Sequence, residues 1–140
     1  MKHFFVIVGV LTILLGVGWV AKTWNASWTA SKINARTQRF NEDVVTFFDA
    51  LQKYKENVGA YPVGSNAEIA KMLKGKNPKN VIILVGRKTE LNEKGEFVDP
   101  WGTPLRIYFS DSGILVRSAG PNRRFDDSTA IDCDDFFRAN

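Results

Sequence analysis

Histidine and cysteine are almost missing from this chain, and their scarcity excludes several kinds of site. The only histidine is His3, and the only cysteine is Cys133. One cysteine cannot build an intramolecular disulfide framework. The histidine precedes the apolar run that is interpreted below as a membrane span, so the sequence predicts neither a histidine-based catalytic triad nor a histidine zinc site. Because a thiolate is poorly stabilised among carboxylates, we interpret Cys133 as a structural thiol.

A glycine-rich phosphate-binding loop is also missing, and the basic residues do not cluster. The chain has 19 Lys and Arg against 15 Asp and Glu, for a net charge of +4. These basic residues are scattered, without the interleaved aromatic side chains that are typical of nucleic-acid grooves. The sequence therefore predicts no nucleic-acid partner, no small-molecule substrate and no enzymatic activity.

An apolar run near the N-terminus is the first feature that is present. Residues Phe4 to Ala21 carry no charge, and as a helix they would extend roughly 27 Å, close to the thickness of a bilayer core. Lys2 and Lys22 bracket the run. A cleaved signal peptide is the competing interpretation, but no small-x-small cleavage site follows. We therefore predict a membrane anchor at residues 1–24.

The charges around this run leave its orientation open. Lys22, Lys32, Arg36 and Arg39 follow the run, whereas Lys2 is the only basic side chain of this kind before it. Counting charges would place the following residues in the cytoplasm, yet large C-terminal domains often translocate regardless of nearby charge. Charge alone therefore does not decide on which side of the membrane the rest of the chain lies.

A single apolar stripe follows at helical spacing. The pattern predicts a long amphipathic helix over residues 25–60, which must pack on another element because one stripe is not stable alone. Gly59 and Pro62 are typical of its end. The stripe consists of Ile33, Phe40, Val44, Phe47, Leu51, Tyr54 and Val58.

A second helix and a sheet are predicted within residues 61–140. Ser65 and Glu68 have the spacing of a capping box, which marks the start of a short helix. Residues 105–109 and 114–118 are β-prone, and the sequence SDSG between them is typical of a tight turn. The predicted fold class is α+β, with an N-terminal transmembrane and long amphipathic helix packed on a small antiparallel β-sheet.

Negative charge is concentrated near the end of the chain. Calcium binds carboxylate and carbonyl oxygens in irregular loops, so a metal site is one interpretation. A solvated terminus balanced by neighbouring arginines is another. A metal-dependent enzyme has less support, because no base or nucleophile accompanies the carboxylates. The five residues, with no Lys or Arg among them, are Asp126, Asp127, Asp132, Asp134 and Asp135.

Three motifs occur in an order that resembles one protein family. They are GAYP at residues 59–62, DPWGTP at 99–104, and SAG at 118–120 followed by acidic residues. Over residues 44–137 the chain resembles the major pseudopilin of bacterial type II secretion systems, within the type IV pilin-like class. The resemblance implies a pilin-like fold, a single-pass location in the bacterial inner membrane with the C-terminal domain in the periplasm, and a structural role in a secretion or pilus-like machine.

The resemblance also implies partners and a ligand. The partners are the membrane and other pseudopilin-like subunits or secretion-machine proteins. In the family, the loop after the last strand often binds calcium through acidic residues and backbone carbonyls. Carried over by position, the implied calcium ligands are Asn122, Asp132, Asp134 and Asp135.

The N-terminus departs from the family pattern. Family precursors are cleaved after a glycine that precedes Phe or Met and a Thr-Leu-x-Glu run, whereas here no such motif is present and no Glu precedes Glu42. An alternative role is therefore a stand-alone anchored periplasmic binding module, with a pilin-like domain stabilised by calcium, that does not polymerise.

Overall fold

The chain forms one long helix, one short helix and a small sheet. A computed structural model describes residues 2–84, 90–110, 113–127, 129 and 133–140, with side chains from residue 29 onward. The predicted α+β class is confirmed, with a three-stranded antiparallel sheet. The elements are α1 (Lys2–Val58), α2 (Asn66–Leu73), β1 (Arg106–Ser110), β2 (Gly113–Ser118) and β3 (Phe136–Ala139).

The chain divides into two compact units, Met1–Ala35 and Arg36–Asn140. Among the residues that the structure describes, no helix has an apolar stretch long enough to cross a membrane. The predicted anchor, residues 1–24, lies outside the residues with described side chains. It therefore stays a prediction.

Within the second unit, α1 buries the predicted apolar stripe. The helix ends at Val58, where Gly59 takes a φ of +102° and donates its N–H to the Lys55 carbonyl at 2.7 Å. Glycine adopts this conformation without the steric cost that other residues have. The stripe from Phe40 to Tyr54 and the end of the helix are confirmed. The stripe residues that are at most 5% exposed are Phe40, Val44, Phe47, Leu51 and Tyr54.

The capping box predicted at the start of α2 is also confirmed. The Ser65 hydroxyl accepts from the Glu68 N–H at 3.4 Å, and the Glu68 carboxylate accepts from the Ser65 N–H at 2.7 Å. The Ser65 hydroxyl also donates to Glu68 Oε2 at 2.8 Å, and the bonds to the carboxylate from the Ser65 N–H and then from its hydroxyl lower the pKa of Glu68. Because its N-terminus is fixed in this way, α2 packs Ile69 and Leu73 into the core formed with α1.

The sheet has β2 at its centre. The predicted hairpin is confirmed, with Arg106 opposite Arg117 and Ser110 opposite Gly113. The inward side chains of β2, Ile114 among them, are buried in the same core as α1 and α2. The sequence does not predict β3, because a four-residue strand carries too little alternation to be recognised.

Asn66, the first residue of α2, fixes the segment that leads into the sheet. Its Nδ2 donates to the carbonyls of Phe97 and Leu105, both at 2.9 Å. Its Oδ1 accepts from the Phe97 N–H at 2.6 Å. The Leu105 N–H also donates to the Phe97 carbonyl at 2.9 Å. Together these bonds hold the two sides of the turn at residues 99–102.

Candidate functional site

The acidic residues lie on the connection between β2 and β3. The two strands are antiparallel neighbours with Ser118 opposite Phe136, so the connection begins and ends at the same end of the sheet. Its first residues, Ser118, Ala119 and Gly120, are buried. We call residues 119–135 the acidic loop. Because its first residues are buried, the start of the loop is fixed to the core.

Asp99 is the group that ties the loop entry to the turn at residues 99–102. Its Oδ1 accepts from the N–H groups of Trp101 and Thr103 at 3.0 and 2.8 Å. Its Oδ2 accepts from the Ser118 hydroxyl at 2.7 Å, and the Ser118 oxygen accepts from the Gly120 N–H at 3.1 Å. A buried carboxylate needs such partners, because burial without them is costly. We call this set of bonds the Asp99 junction.

An aromatic stack lies beside this junction. Trp101 is buried, and its ring stacks on Phe136 of β3 with a centroid distance of 5.4 Å and an interplanar angle of 2°. Phe136 also meets Phe40 of α1 at 6.0 Å. Such aromatic pairs stabilise a fold beyond the area they bury. The stack therefore joins the turn, the last strand and the part of α1 that belongs to the second unit.

Three carboxylates of the acidic loop come together. Oxygens of Asp126, Asp134 and Asp135 all lie within 4.8 Å of one another. Asn122 borders the group: its Nδ2 donates to Asp126 Oδ2 at 2.6 Å and its backbone N–H to Asp134 Oδ2 at 3.0 Å. Asp134 Oδ1 is buried and has no hydrogen-bond partner among the described residues. We call these three residues the carboxylate group.

Arg117 of β2 enters this group from the sheet. Its Nε donates to Asp135 Oδ2 at 2.5 Å, and its Nη2 donates to the Asp126 carbonyl oxygen. The Asp135 side chain is fully buried, and that of Arg117 is 15% exposed. Charge-assisted bonds from a guanidinium are stronger than neutral ones. Arg117 therefore supplies a positive charge within the carboxylate group.

Asp127 follows the group in sequence but stays in water. It is exposed, and its Oδ1 accepts from the backbone N–H and the hydroxyl of Thr129 at 3.0 and 2.9 Å. These two bonds, the backbone one first, lower the pKa of Asp127. Of the five clustered carboxylates, the four that the structure describes are thus divided between the carboxylate group with its arginine and one solvated carboxylate.

The implied calcium ligands are placed only in part as expected. Asp134 and Asp135 meet, and Asp126, which is not in the implied set, completes the group. Asn122 lies beside them, but its Oδ1 accepts from the Arg124 N–H at 2.7 Å and its Nδ2 donates to Asp126. Asp132 lies outside the described residues.

A fit test for calcium follows from these contacts. Three carboxylates and nearby carbonyls are the donors that calcium prefers. However, Arg117 already holds Asp135 Oδ2 and the Asp126 carbonyl, and Asn122 holds Asp126 Oδ2. A calcium ion that used Asp135 Oδ2 or the Asp126 carbonyl would have to displace the Arg117 guanidinium, whereas Asp134 Oδ1 has no hydrogen-bond partner among the described residues. Calcium binding stays a prediction.

Comparisons with known proteins add nothing to this description. No family model matches the chain, and neither the curated proteins nor the solved structures gave a significant match. The resemblance to pseudopilins therefore depends on the three sequence motifs and stays an expectation.

Gly120 is predicted to be intolerant of any side chain. Its φ is +64°, and a Cβ added there would overlap the backbone carbonyl of Asp134. We expect Gly120→Ala to lower the free energy of unfolding by about 2–4 kcal/mol, from the left-handed backbone and the overlap together. Urea unfolding of the full chain in detergent, extrapolated linearly to water, measures it.

Gly95→Ala is the matched control for this substitution. Gly95 also has a positive φ, +79°, but an added Cβ would have no atom within 4 Å. It should cost only the backbone strain, about 1–2 kcal/mol. Equal losses at the two positions would contradict a tight approach of Asp134 to the loop entry.

Proposed function

We propose that the chain is a membrane-anchored, pseudopilin-like structural component of a type II secretion or type IV pilus-like machine. In this proposal it is a single-pass protein of the bacterial inner membrane, with the unit of residues 36–140 in the periplasm. The observation that carries the proposal is the Asp99 junction. It joins DPWG and SAG, two of the three motifs behind the family resemblance, through the bond of 2.7 Å between Ser118 and Asp99.

The architecture supports the same proposal. In the second unit a long helix packs one face on a small antiparallel sheet, which is the arrangement that the resemblance implies. The other face of α1 stays exposed, including Val45 at 61%. This exposed face is the surface of the helix that is available to a neighbouring helix. In the proposed assembly, that face packs on other subunits.

The proposed role involves no reaction. The carboxylate group contacts an arginine, an asparagine and backbone groups, so its carboxylates serve to order the loop. The Asp99 carboxylate is likewise saturated by three donors. In this proposal the buried polar groups hold the loop and the turn in place for contacts with partner proteins.

The second candidate is a stand-alone anchored periplasmic binding module that does not polymerise. The observation that favours it is the N-terminal sequence, which lacks the family's cleavage motif and has no Glu before Glu42. The family resemblance associates filament assembly with an N-terminal amine freed by cleavage and with the Glu of the Thr-Leu-x-Glu run. The two candidates share a fold and differ in whether copies of the chain associate.

Cross-linking in native membranes separates the two candidates. With an amine-reactive cross-linker, we expect a ladder at multiples of the chain's mass, because neighbouring copies would lie side by side. Val45→Asp should remove most of the ladder, since a charge would be placed in the helix contact. Monomers alone, or one adduct with a different protein, would favour the stand-alone module.

A matched control variant keeps this experiment specific. Val63 is 83% exposed and follows the end of α1, so Val63→Asp adds the same charge outside the helix face. It should leave the ladder unchanged. N-terminal sequencing of the membrane-extracted chain tests the anchor separately: a new N-terminus within residues 2–25 would contradict an uncleaved anchor.

A further inference from the structure

The side chain of Arg117 bridges two distant parts of the acidic loop. Its Nε holds Asp135, just before β3, and its Nη2 holds the carbonyl of Asp126, in the middle of the loop. Arg117 itself lies on β2, at the centre of the sheet. One guanidinium therefore connects the central strand to the middle and to the end of the loop.

Two aromatic rings near the Arg117 guanidinium are suited to a planar cation. The guanidinium carbon lies 5.4 Å from the ring centroid of Phe125 and 5.0 Å from that of Phe137. Guanidinium groups stack on aromatic faces and are weakly hydrated, whereas calcium requires six to eight oxygen ligands. The nearby rings of Phe125 and Phe137 therefore favour a guanidinium over a divalent ion at this position.

The negative charge of the carboxylate group also favours the guanidinium as its partner. The oxygens of the carboxylate group lie close enough to repel one another, and the group needs a positive counter-charge. Arg117 provides it from within hydrogen-bonding distance of Asp135 and of the Asp126 carbonyl. A calcium ion at the same oxygens would be repelled by Arg117 or would have to displace it.

We propose that the Arg117 guanidinium is the built-in counter-charge of the acidic loop, in the place where the family resemblance implies calcium. The loop then folds without a metal ion. Asp135 and the Asp126 carbonyl accept hydrogen bonds from the arginine. Asn122 donates to Asp126 through its side chain and to Asp134 through its backbone N–H. This inference does not depend on the proposed function, since it concerns only how the loop is held.

Thermal unfolding of the full wild-type chain in detergent is the first test. With calcium at about 10 mM, far above the dissociation constants of extracellular calcium modules, the melting temperature should equal that with a chelator to within the error of the measurement. A site filled to one hundred times its dissociation constant would raise it by about 10 °C. A rise of that size would overturn the proposal and assign Asp134 Oδ1 to a metal.

Substitution of the arginine is the second test. Arg117→Gln leaves Asp135 buried and unpaired, so the melting temperature should fall by at least about 10 °C in the presence of chelator. Calcium should then recover part of this loss, because the three carboxylates would have no other counter-charge. Unchanged stability of Arg117→Gln in chelator would overturn the proposal.

Arg106→Gln is the matched control. Arg106 lies directly opposite Arg117 in the register and stacks on Phe125 at 3.9 Å, but it is exposed. Its loss should lower the melting temperature by less than about 4 °C and create no response to calcium. If Arg117→Gln fails to fold while Arg106→Gln folds, that outcome also supports the proposal. In that case the comparison of the wild-type chain with and without calcium can still overturn the proposal.

Discussion

Asp99→Ala is expected to lower the free energy of unfolding by about 3–6 kcal/mol, because each buried polar group left unpaired costs about 1–3 kcal/mol. The carboxylate is only 4% exposed and accepts three hydrogen bonds. Its removal leaves the N–H groups of Trp101 and Thr103 and the Ser118 hydroxyl without their acceptor. Urea unfolding of the full chain in detergent measures the loss.

Two further substitutions divide this effect between its bonds. Asp99→Asn keeps an acceptor for Trp101 and Thr103, and Ser118→Ala removes only the bond that joins the turn to the acidic loop. Each should cost less than Asp99→Ala, about 1–3 kcal/mol. If Asp99→Ala costs no more than Ser118→Ala, the two backbone bonds do not contribute, and the Asp99 junction would not be the anchor that we describe.

Trp101→Ala is expected to cost about 3–5 kcal/mol, the range for deletion of a large buried aromatic side chain. The indole stacks on Phe136, and Phe136 contacts Phe40, so its loss leaves a cavity between the turn, β3 and α1 of the second unit. Urea unfolding followed by circular dichroism measures the change. Because β3 would lose its aromatic contact with the turn, limited proteolysis should cut first at the acidic loop.

Tyr108→Ala is the control for Trp101→Ala. Tyr108 is an aromatic residue of β1 that is 46% exposed, so its truncation removes little buried contact. We expect a loss below about 1 kcal/mol and no change in the site of proteolysis. Similar losses for the two variants would mean that the stack does not hold β3 to the turn.

The parts of the fold that the sequence predicts are those with a local cause. The stripe of α1 follows from residues three or four positions apart, and the capping box of α2 from Ser65 and Glu68, which are three apart. The hairpin likewise joins strands that are neighbours in sequence. In each case the interacting residues are close in sequence, so their spacing and their intrinsic propensities predict the element.

The parts that sequence analysis missed have partners far apart in the chain. The side chain of Asp99 meets that of Ser118 nineteen positions later, and Arg117 meets Asp135 eighteen positions later. No periodicity predicts either pair. The alternation of β2 does place Arg117 on the face opposite Val116, and the acidic loop needs a counter-charge. Those two facts together are the signal that would have pointed to Arg117.

The position of β3 also determines how the folded state is lost. β1 and β2 are joined by a short turn, whereas β3 reaches β2 only after the acidic loop has closed. Closing a longer loop costs more chain entropy, so the pairing of β2 with β3 forms late and is lost early. Contacts that form after the folding barrier affect the unfolding rate and hardly the folding rate. We therefore expect loss of the bond between Arg117 and Asp135 to raise the unfolding rate and to leave the folding rate nearly unchanged.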